Sequence, residues 1–188
     1  MKKLNAVNTI LPYLGEHVVT SLDSRSPTVA LILAGLEQHS TSMFAEGYWF
    51  NTQETTVQPN LDGIIYTPEN MLAFYSIGRS VEPRGDRLWD IDNSTWYFTE
   101  DVRCRIIDKL DFESIPEYAA LAVTYSVGIE LYTADFGVDN TLQVLQTHLA
   151  SNLTMLRQEN LRKRHYSVLR PAHKRFQHHL WRDRKSVV

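Results

Sequence analysis

Leu4, Val7, Ile10, Leu11 and Leu14 recur three and four residues apart, the repeat of one helical face, and Gly15 follows as a stop. The spacing predicts a first helix, followed by the polar loop SLDSRSP. Pro27, placed just after Ser26, suits the first turn of a second helix, where its missing N–H costs nothing. That helix shows an apolar face of Val29, Ile32, Leu33, Leu36, Met43 and Phe44, and Gly47 ends it. From Tyr48 the period shortens. YWFNTQETTV is aromatic and β-branched and reads as a strand, QPNLDG as a turn, and GIIYTP and MLAFYSI as further strands. SVEPRGDRLWDIDNSTWYF holds Gly and Pro breakers and two short strand-like pieces around an Asp-Asn turn, and VRCRIIDKL alternates as another strand.

Helical texture returns at Ser114-Ile115-Pro116-Glu117, with Ala120, Val123, Val127, Leu131 and Ala134 on one face and Gly137 as a break. The small residues of this helix suit close packing against a neighbour. Asp139 is placed to cap a last helix whose stripe is Leu142, Leu145, Leu149, Leu153 and Leu156. That helix is expected to run to about residue 165, and Pro171 to interrupt any continuation, leaving at most two short segments in the tail. The expected fold class is therefore α+β. Residues 1–47 and 111–165 form a bundle of about four helices, residues 48–110 an inserted antiparallel β unit, and residues 166–188 an extended C-terminal tail.

Charge changes this picture at one place. Residues 162–188 carry 9 Lys and Arg against 1 acid, a balance of +8, whereas residues 1–161 carry 10 against 21, a balance of −11. Such asymmetry points to an interaction tail on an oppositely charged body. Arg170, Lys174, Arg175 and Arg182 interleave with Phe176, Leu180 and Trp181, a mixture of cations and apolar anchors suited to docking on another protein. A second reading gives the same residues to nucleic acid, with cations on phosphate and rings on bases, as in a phage or plasmid DNA-binding regulator. Against that reading, no helix-turn-helix carries the charge and the body is acidic.

Few other features carry chemistry. No stretch is long and apolar enough to span a bilayer, and Cys104, the single cysteine, has no partner for an internal disulfide or a thiolate zinc site. The P-loop, nucleophile-elbow and zincin patterns are missing, so no catalytic residue, metal ligand or cofactor site is assigned and no enzyme is expected. His165, His173, His178 and His179 are not spaced as a helical metal pair. Glu113 and Glu117, one turn apart, have the spacing of an acid/base pair, but at a helix start carboxylates favourably meet the helix dipole, and that reading is preferred. Arg84-Gly85-Asp86 spells an adhesion triplet and is read as a turn. Tyr48, Trp49 and Phe50 offer a stacking platform, though aromatic residues at a strand start more often belong to a core.

Taken in order, these segments resemble one family. LNAVNTILPYLGEHVVTSLDS, a helix ending FAEGYWFNTQETTVQPN, then DGIIYTPENMLAF, and later IIDKLDFESIPEYAALAVTYSVGIELYTADFGVDN are similar to the tail tubular protein A family, the head-to-tail adaptors of short-tailed phages. The resemblance covers residues 4–160 and lies in the order and spacing of short motifs; residues 69–101 and the basic tail depart from the pattern. It implies a structural virion protein without catalysis. The family forms a ring of about twelve copies beneath the portal protein and carries the tail nozzle on its other side. The genome passes through without sequence-specific binding, and no membrane is involved. The place implied is the virion tail at the portal vertex, after assembly in the host cytoplasm. On this reading Arg170, Lys174, Arg175, Phe176, Leu180, Trp181 and Arg182 are expected to dock on the portal. Tyr48, Trp49, Phe50, Trp89 and Trp96 are expected to supply nozzle or inter-subunit contacts from the β unit.

Overall fold

A computed structural model describes residues 1–23 and 26–182 of the chain, with side chains described through Arg164. Helix α1 (Lys3–Ile10) tightens into a 3-10 turn at Leu11–Leu14, α2 spans Pro27–Phe44, α3 spans Glu117–Phe136, and α4 spans Asn140–Arg182. The centre of the helical part is α3, against which the other three pack. Its sequence explains that position. Ala119, Ala120, Ala122, Val123, Thr124, Val127 and Gly128 are all buried, so small side chains let neighbours approach from several directions. The buried hydroxyl of Thr124 donates to the Ala120 carbonyl at 2.8 Å, which removes the cost of a polar group in the core.

The helix ends form by local rules. Ser26 Oγ accepts from the Val29 N–H at 3.5 Å with Pro27 in the first turn, and Asp139 Oδ1 accepts from the Leu142 N–H at 3.0 Å. Gly15 stops the first helical segment at φ 75°. The core cluster joins Val7, Ile10 and Leu11 to Val29, Ile32, Leu36 and Phe44 of α2, to Val123 and Val127 of α3, and to Leu156 of α4.

The α2–α3 crossing is close enough to be tested. A Cβ at Gly35 would lie 2.8 Å from Val127 Cγ1, and Val127 is a β-branched, fully buried residue that has no room to turn. Gly35→Ala should therefore destabilise the protein by about 1–2 kcal/mol, the overpacking cost outweighing the gain in helix propensity. Gly128→Ala meets nothing nearer than 3.6 Å and should be neutral or stabilising. Urea titration of the pair checks the contrast; equal effects would mean that the crossing is not tight.

Between α2 and α3 the chain forms two small sheets. Strands β1 (Thr52–Val57), β2 (Met71–Ser76) and β5 (Val102–Asp108) make an antiparallel sheet in the order β1-β5-β2, and β3 (Val81–Arg84) pairs with β4 (Arg87–Asp90) as a hairpin. The last strand in sequence is thus central. Val102, Cys104 and Ile106 alternate inward along β5, as a half-buried strand requires. Ile65, Val81, Leu88, Phe98 and Val102 form a second core, separate from that of the bundle.

Several sequence expectations change. Tyr48, Trp49 and Phe50 do not begin a strand; they lie in a turn and β1 starts at Thr52, because Asn51 takes over the backbone groups that a ladder would otherwise use. GIIYTP contributes only a single bridge, Tyr66 to Arg87, since residues 60–64 are drawn into a turn around the Asn60 side chain. The β3–β4 hairpin turns at Gly85-Asp86, where Gly85 supplies the φ of 67° that the turn needs, and the Asp92-Asn93 turn is closed by a single bridge, Asp90 at the end of β4 to Thr95. Ala134 is exposed, the buried position near that end of α3 being Tyr132.

The largest correction concerns Pro171. The α4 backbone passes through it and remains helical to Arg182, beyond the expected end near residue 165, so residues 166–182 are helix and not two short segments. A proline removes one intrahelical bond and costs about 3 kcal/mol, but extending an existing helix needs no new nucleation. The flanking Leu169, Arg170, Ala172, Lys174 and Arg175 are all strong helix formers.

Candidate functional site

Gly47 to Asn51 is the point where the three parts of the chain meet. Asn51 is 3% exposed, and its side chain makes three bonds. Its Oδ1 accepts from the Tyr48 N–H at 2.7 Å, and its Nδ2 donates to the carbonyls of Phe44 at 3.0 Å and Asp108 at 3.1 Å. The Asp108 N–H in turn donates to the Asn51 carbonyl at 2.8 Å. One amide side chain therefore ties the end of α2 to the end of β5.

From the other side α4 reaches the same turn. Asn160 Oδ1 accepts from the Trp49 N–H at 3.1 Å, and Arg164 Nη2 donates to the Gly47 carbonyl at 2.8 Å. Gly47 itself has φ 76°, and a Cβ there would lie 2.7 Å from Ile107 Cδ1. The turn therefore has space only for backbone. Sequence reasoning missed Asn51, Asn160 and Arg164. A signal did exist: Asn160 and Arg164 continue the Leu stripe of α4 at four-residue steps, and polar residues on a packed face need partners.

The aromatic residues singled out from sequence fall into two groups. Tyr48 is 5% exposed, and Trp49 and Phe50 are half-buried. Tyr48 stacks on Phe50 at 5.6 Å, Phe50 meets Phe44 edge-on at 5.4 Å, and Trp49 lies 6.2 Å from Tyr118 of α3. These rings pack within the subunit. Burial pushes the Tyr48 phenol above its ordinary range, with the nearby Glu46 carboxylate acting in the same direction.

Trp89 and Trp96 instead lie together on the hairpin lobe, 4.7 Å apart and edge to face, with the Arg84 guanidinium 4.8 Å from the Trp89 ring centroid. Tyr66, Ile91 and Tyr97 are exposed on the same lobe, the last at 65%. The structure thus separates the five residues into two clusters, one at the Tyr48–Phe50 turn and one on the hairpin lobe, where Trp89 and Trp96 are half-buried as Trp49 and Phe50 are.

Asp90 organises that lobe from within. It is 1% exposed, pairs with Arg79, and accepts from the Asn93 N–H at 3.2 Å and Asn93 Nδ2 at 2.9 Å. Burial pushes its carboxyl up, but the Asn93 and Arg79 bonds outweigh burial and hold it below the usual carboxylate range. A carboxylate with a lowered folded-state pKa stabilises the protein above its unfolded value near about 3.9 and loses that contribution as pH falls through the folded value. Acid unfolding below about pH 4 should therefore be displaced to higher pH in Asp90→Asn, and neutral stability should fall by about 2–3 kcal/mol. A curve identical to wild type would remove Asp90 from this role.

Glu113 and Glu117 serve the chain start. Glu113 Oε1 accepts from the Lys3 N–H at 2.9 Å, and Glu117 lies 3.0 Å from the Met1 amino group. Among the described residues no cluster of three or more His, Cys, Asp or Glu is placed to hold a metal ion, and no helix is long and apolar enough to cross a membrane. Arg170, Lys174, Arg175, Phe176, Leu180, Trp181 and Arg182 occupy helical backbone in α4, and their side chains lie outside the described residues.

Comparison with known proteins gives this architecture a family. The sequence profile of the tail tubular proteins matches residues 4–166, which takes in the bundle, both sheets and the root of the basic segment. Tail tubular protein A of Klebsiella phage KP34 is 31% identical over 170 residues, spanning 89% of this chain and 91% of that protein. The bundle, the sheets and their junction all lie within the matched residues, and the chain belongs to the tail tubular protein A family, structural proteins of the tails of short-tailed phages.

Proposed function

We propose that this protein is the ring-forming head-to-tail adaptor of its virion, joining the portal protein to the tail nozzle and forming part of the DNA channel. The observation that carries the reading is the family match through residues 4–166, across every packed element of the chain. Charge and shape support it. The body carries −11 over residues 1–161, and a ring of such subunits with acids toward the lumen repels phosphate, so the genome slides through without sequence-specific binding. The long α4 carries most of the basic segment, 7 Lys and Arg and no acid over residues 162–182, and there Arg170, Lys174, Arg175, Phe176, Leu180, Trp181 and Arg182 dock on the portal. The hairpin lobe with Trp89 and Trp96 supplies contacts to the nozzle or to the next subunit.

Light scattering tests the reading. The purified chain, 21.7 kDa, is measured alone and after mixing with the matching portal ring. The expected result is a monomer that adds to the portal in one multi-copy step of about 260 kDa, twelve times the chain mass of 21.7 kDa. An unchanged portal mass would reject the adaptor role and direct the basic segment to a test on duplex DNA at varied salt.

A further inference from the structure

Two exposed helix faces of the body carry no charge. Over Asn140–Leu156, α4 holds no Lys, Arg, Asp or Glu, whereas a free surface helix of that length carries about four such residues. Its outer face, opposite Leu145, Leu149 and Leu156, turns Val144, Thr147, Ser151 and Met155 to solvent, the last 52% exposed. Helix α2 repeats the pattern. Opposite Ile32 and Leu36 it exposes Leu31, at 58%, with Ala34 and Gln38, and its single Lys, Arg, Asp or Glu residue, Glu37, is engaged by Lys109. Exposed apolar side chains on a face stripped of charge are the composition of an interface core.

Contacts on α3 put the two faces on different sides of the bundle. Gly35 of α2 lies against Val127, and His39 pairs with Glu130. Tyr125 stacks on His148 of α4, and Ile129 and Tyr132 pack with Leu142 and Leu145. At about 100° per residue, Val127 and Glu130 fall on one side of α3 and Tyr125, Ile129 and Tyr132 on the other.

We infer that the outer face of α4 packs on the outer face of α2 of a second copy, and that this contact, repeated head to tail, builds the ring. The inference rests on the adaptor reading. A ring needs two different surfaces that match, one toward each neighbour, and these lie on separate sides of one copy. Charge selects the partner. DNA offers phosphates, which an uncharged face does not hold. On this chain, residues 60–101 carry 8 Asp and Glu against 3 Lys and Arg, and the open side of the sheet presents Arg103, Arg105 and Glu54. The α2 face is thus the neutral counterpart among the described residues. Size explains when the contact forms. The α2 face is a strip about 27 Å long and about 10 Å wide, well short of the about 800 Å² per partner of a stable pair. Two free copies therefore separate, whereas copies held side by side on the portal meet at high effective concentration.

The test uses the sign of charge. Ala34 and Ser151 are exposed and central to their faces. Ala34→Lys with Ser151→Glu puts opposite charges across every contact. Ala34→Glu with Ser151→Glu, and Ala34→Lys with Ser151→Lys, put like charges there and change net charge in opposite directions. The two positions are far apart within a copy, so the urea midpoints of the three chains should agree. With the matching portal ring and light scattering, the opposite-charge chain should fill portals in one multi-copy step. Half-filling should need at least about tenfold less protein than for either like-charge chain, and the like-charge chains should leave partly filled portals. Equal loading by the three chains, at wild-type strength or below it, or better loading by a like-charge chain, would overturn the inference and leave the adaptor reading intact. Failure of the wild-type chain to load would remove both.

Discussion

Deletion of residues 162–188 should abolish attachment to the portal ring and leave a folded protein. The packed core is complete before the cut, since Leu156 is the last fully buried residue of α4 among those described. Among the described residues, the deletion removes from the body one bond, Arg164 to the Gly47 carbonyl, and a surface pair, Arg162 with Glu159. The first is worth about 1 kcal/mol and the second less, so the unfolding midpoint should change little. Binding is a different matter. The deleted residues hold 9 of the 19 Lys and Arg in the chain, and a ring multiplies each weak contact through avidity. Portal binding followed by sedimentation or light scattering, together with a urea titration of the free chain, separates the two effects. A truncated chain that still decorated portals would place the docking surface in the body, with the hairpin lobe as the next region to test.

Asn51→Ala should be among the most damaging single substitutions in the body, at about 3–5 kcal/mol. It leaves the Tyr48 N–H and the Asp108 carbonyl without the Asn51 partner in a buried site, at about 1–3 kcal/mol each, while the Phe44 carbonyl loses one of two bonds and keeps the Gly47 N–H at 3.0 Å. The effect falls on the junction of the bundle, the sheet and the root of α4, so all three loosen together. Urea denaturation should show a lower midpoint at unchanged slope. Gln53→Ala is the control. That side chain bonds Asp108 Oδ2 at 2.6 Å from an exposed position and should cost less than about 0.5 kcal/mol. A loss below about 1 kcal/mol for Asn51→Ala would mean that water or a shifted backbone replaces its bonds.

The junction also shows how two tasks are met in a small chain. The sheet and the bundle must be held in register, and α4 must be tied to the turn between them. Gly47 serves both, offering its carbonyl to Arg164 and, by lacking a side chain, making room for Ile107 of β5.

The sequence by itself determined the local elements. The 3.6-residue repeats of α1, α2 and α3, the Ser26 and Asp139 caps, the Gly15 and Gly137 stops and the alternation of β5 all depend on neighbours a few residues apart, and each is legible on that scale. The change of charge at residue 162 and the family resemblance were legible for the same reason. Only the tertiary structure decided what depends on distant partners. It placed β5 between β1 and β2, although it is the last strand in sequence. It divided the five aromatic residues into two separate clusters, because Tyr118 of α3 and Asn160 of α4 come to the Tyr48–Phe50 turn from far along the chain, whereas Trp89 and Trp96 pair on the hairpin lobe. It also carried α4 through Pro171, where cooperative helix extension prevailed over the local cost of a proline. Periodicity and capping are local properties of the chain, whereas the destination of each remaining backbone hydrogen bond is settled by whichever distant segment packs beside it.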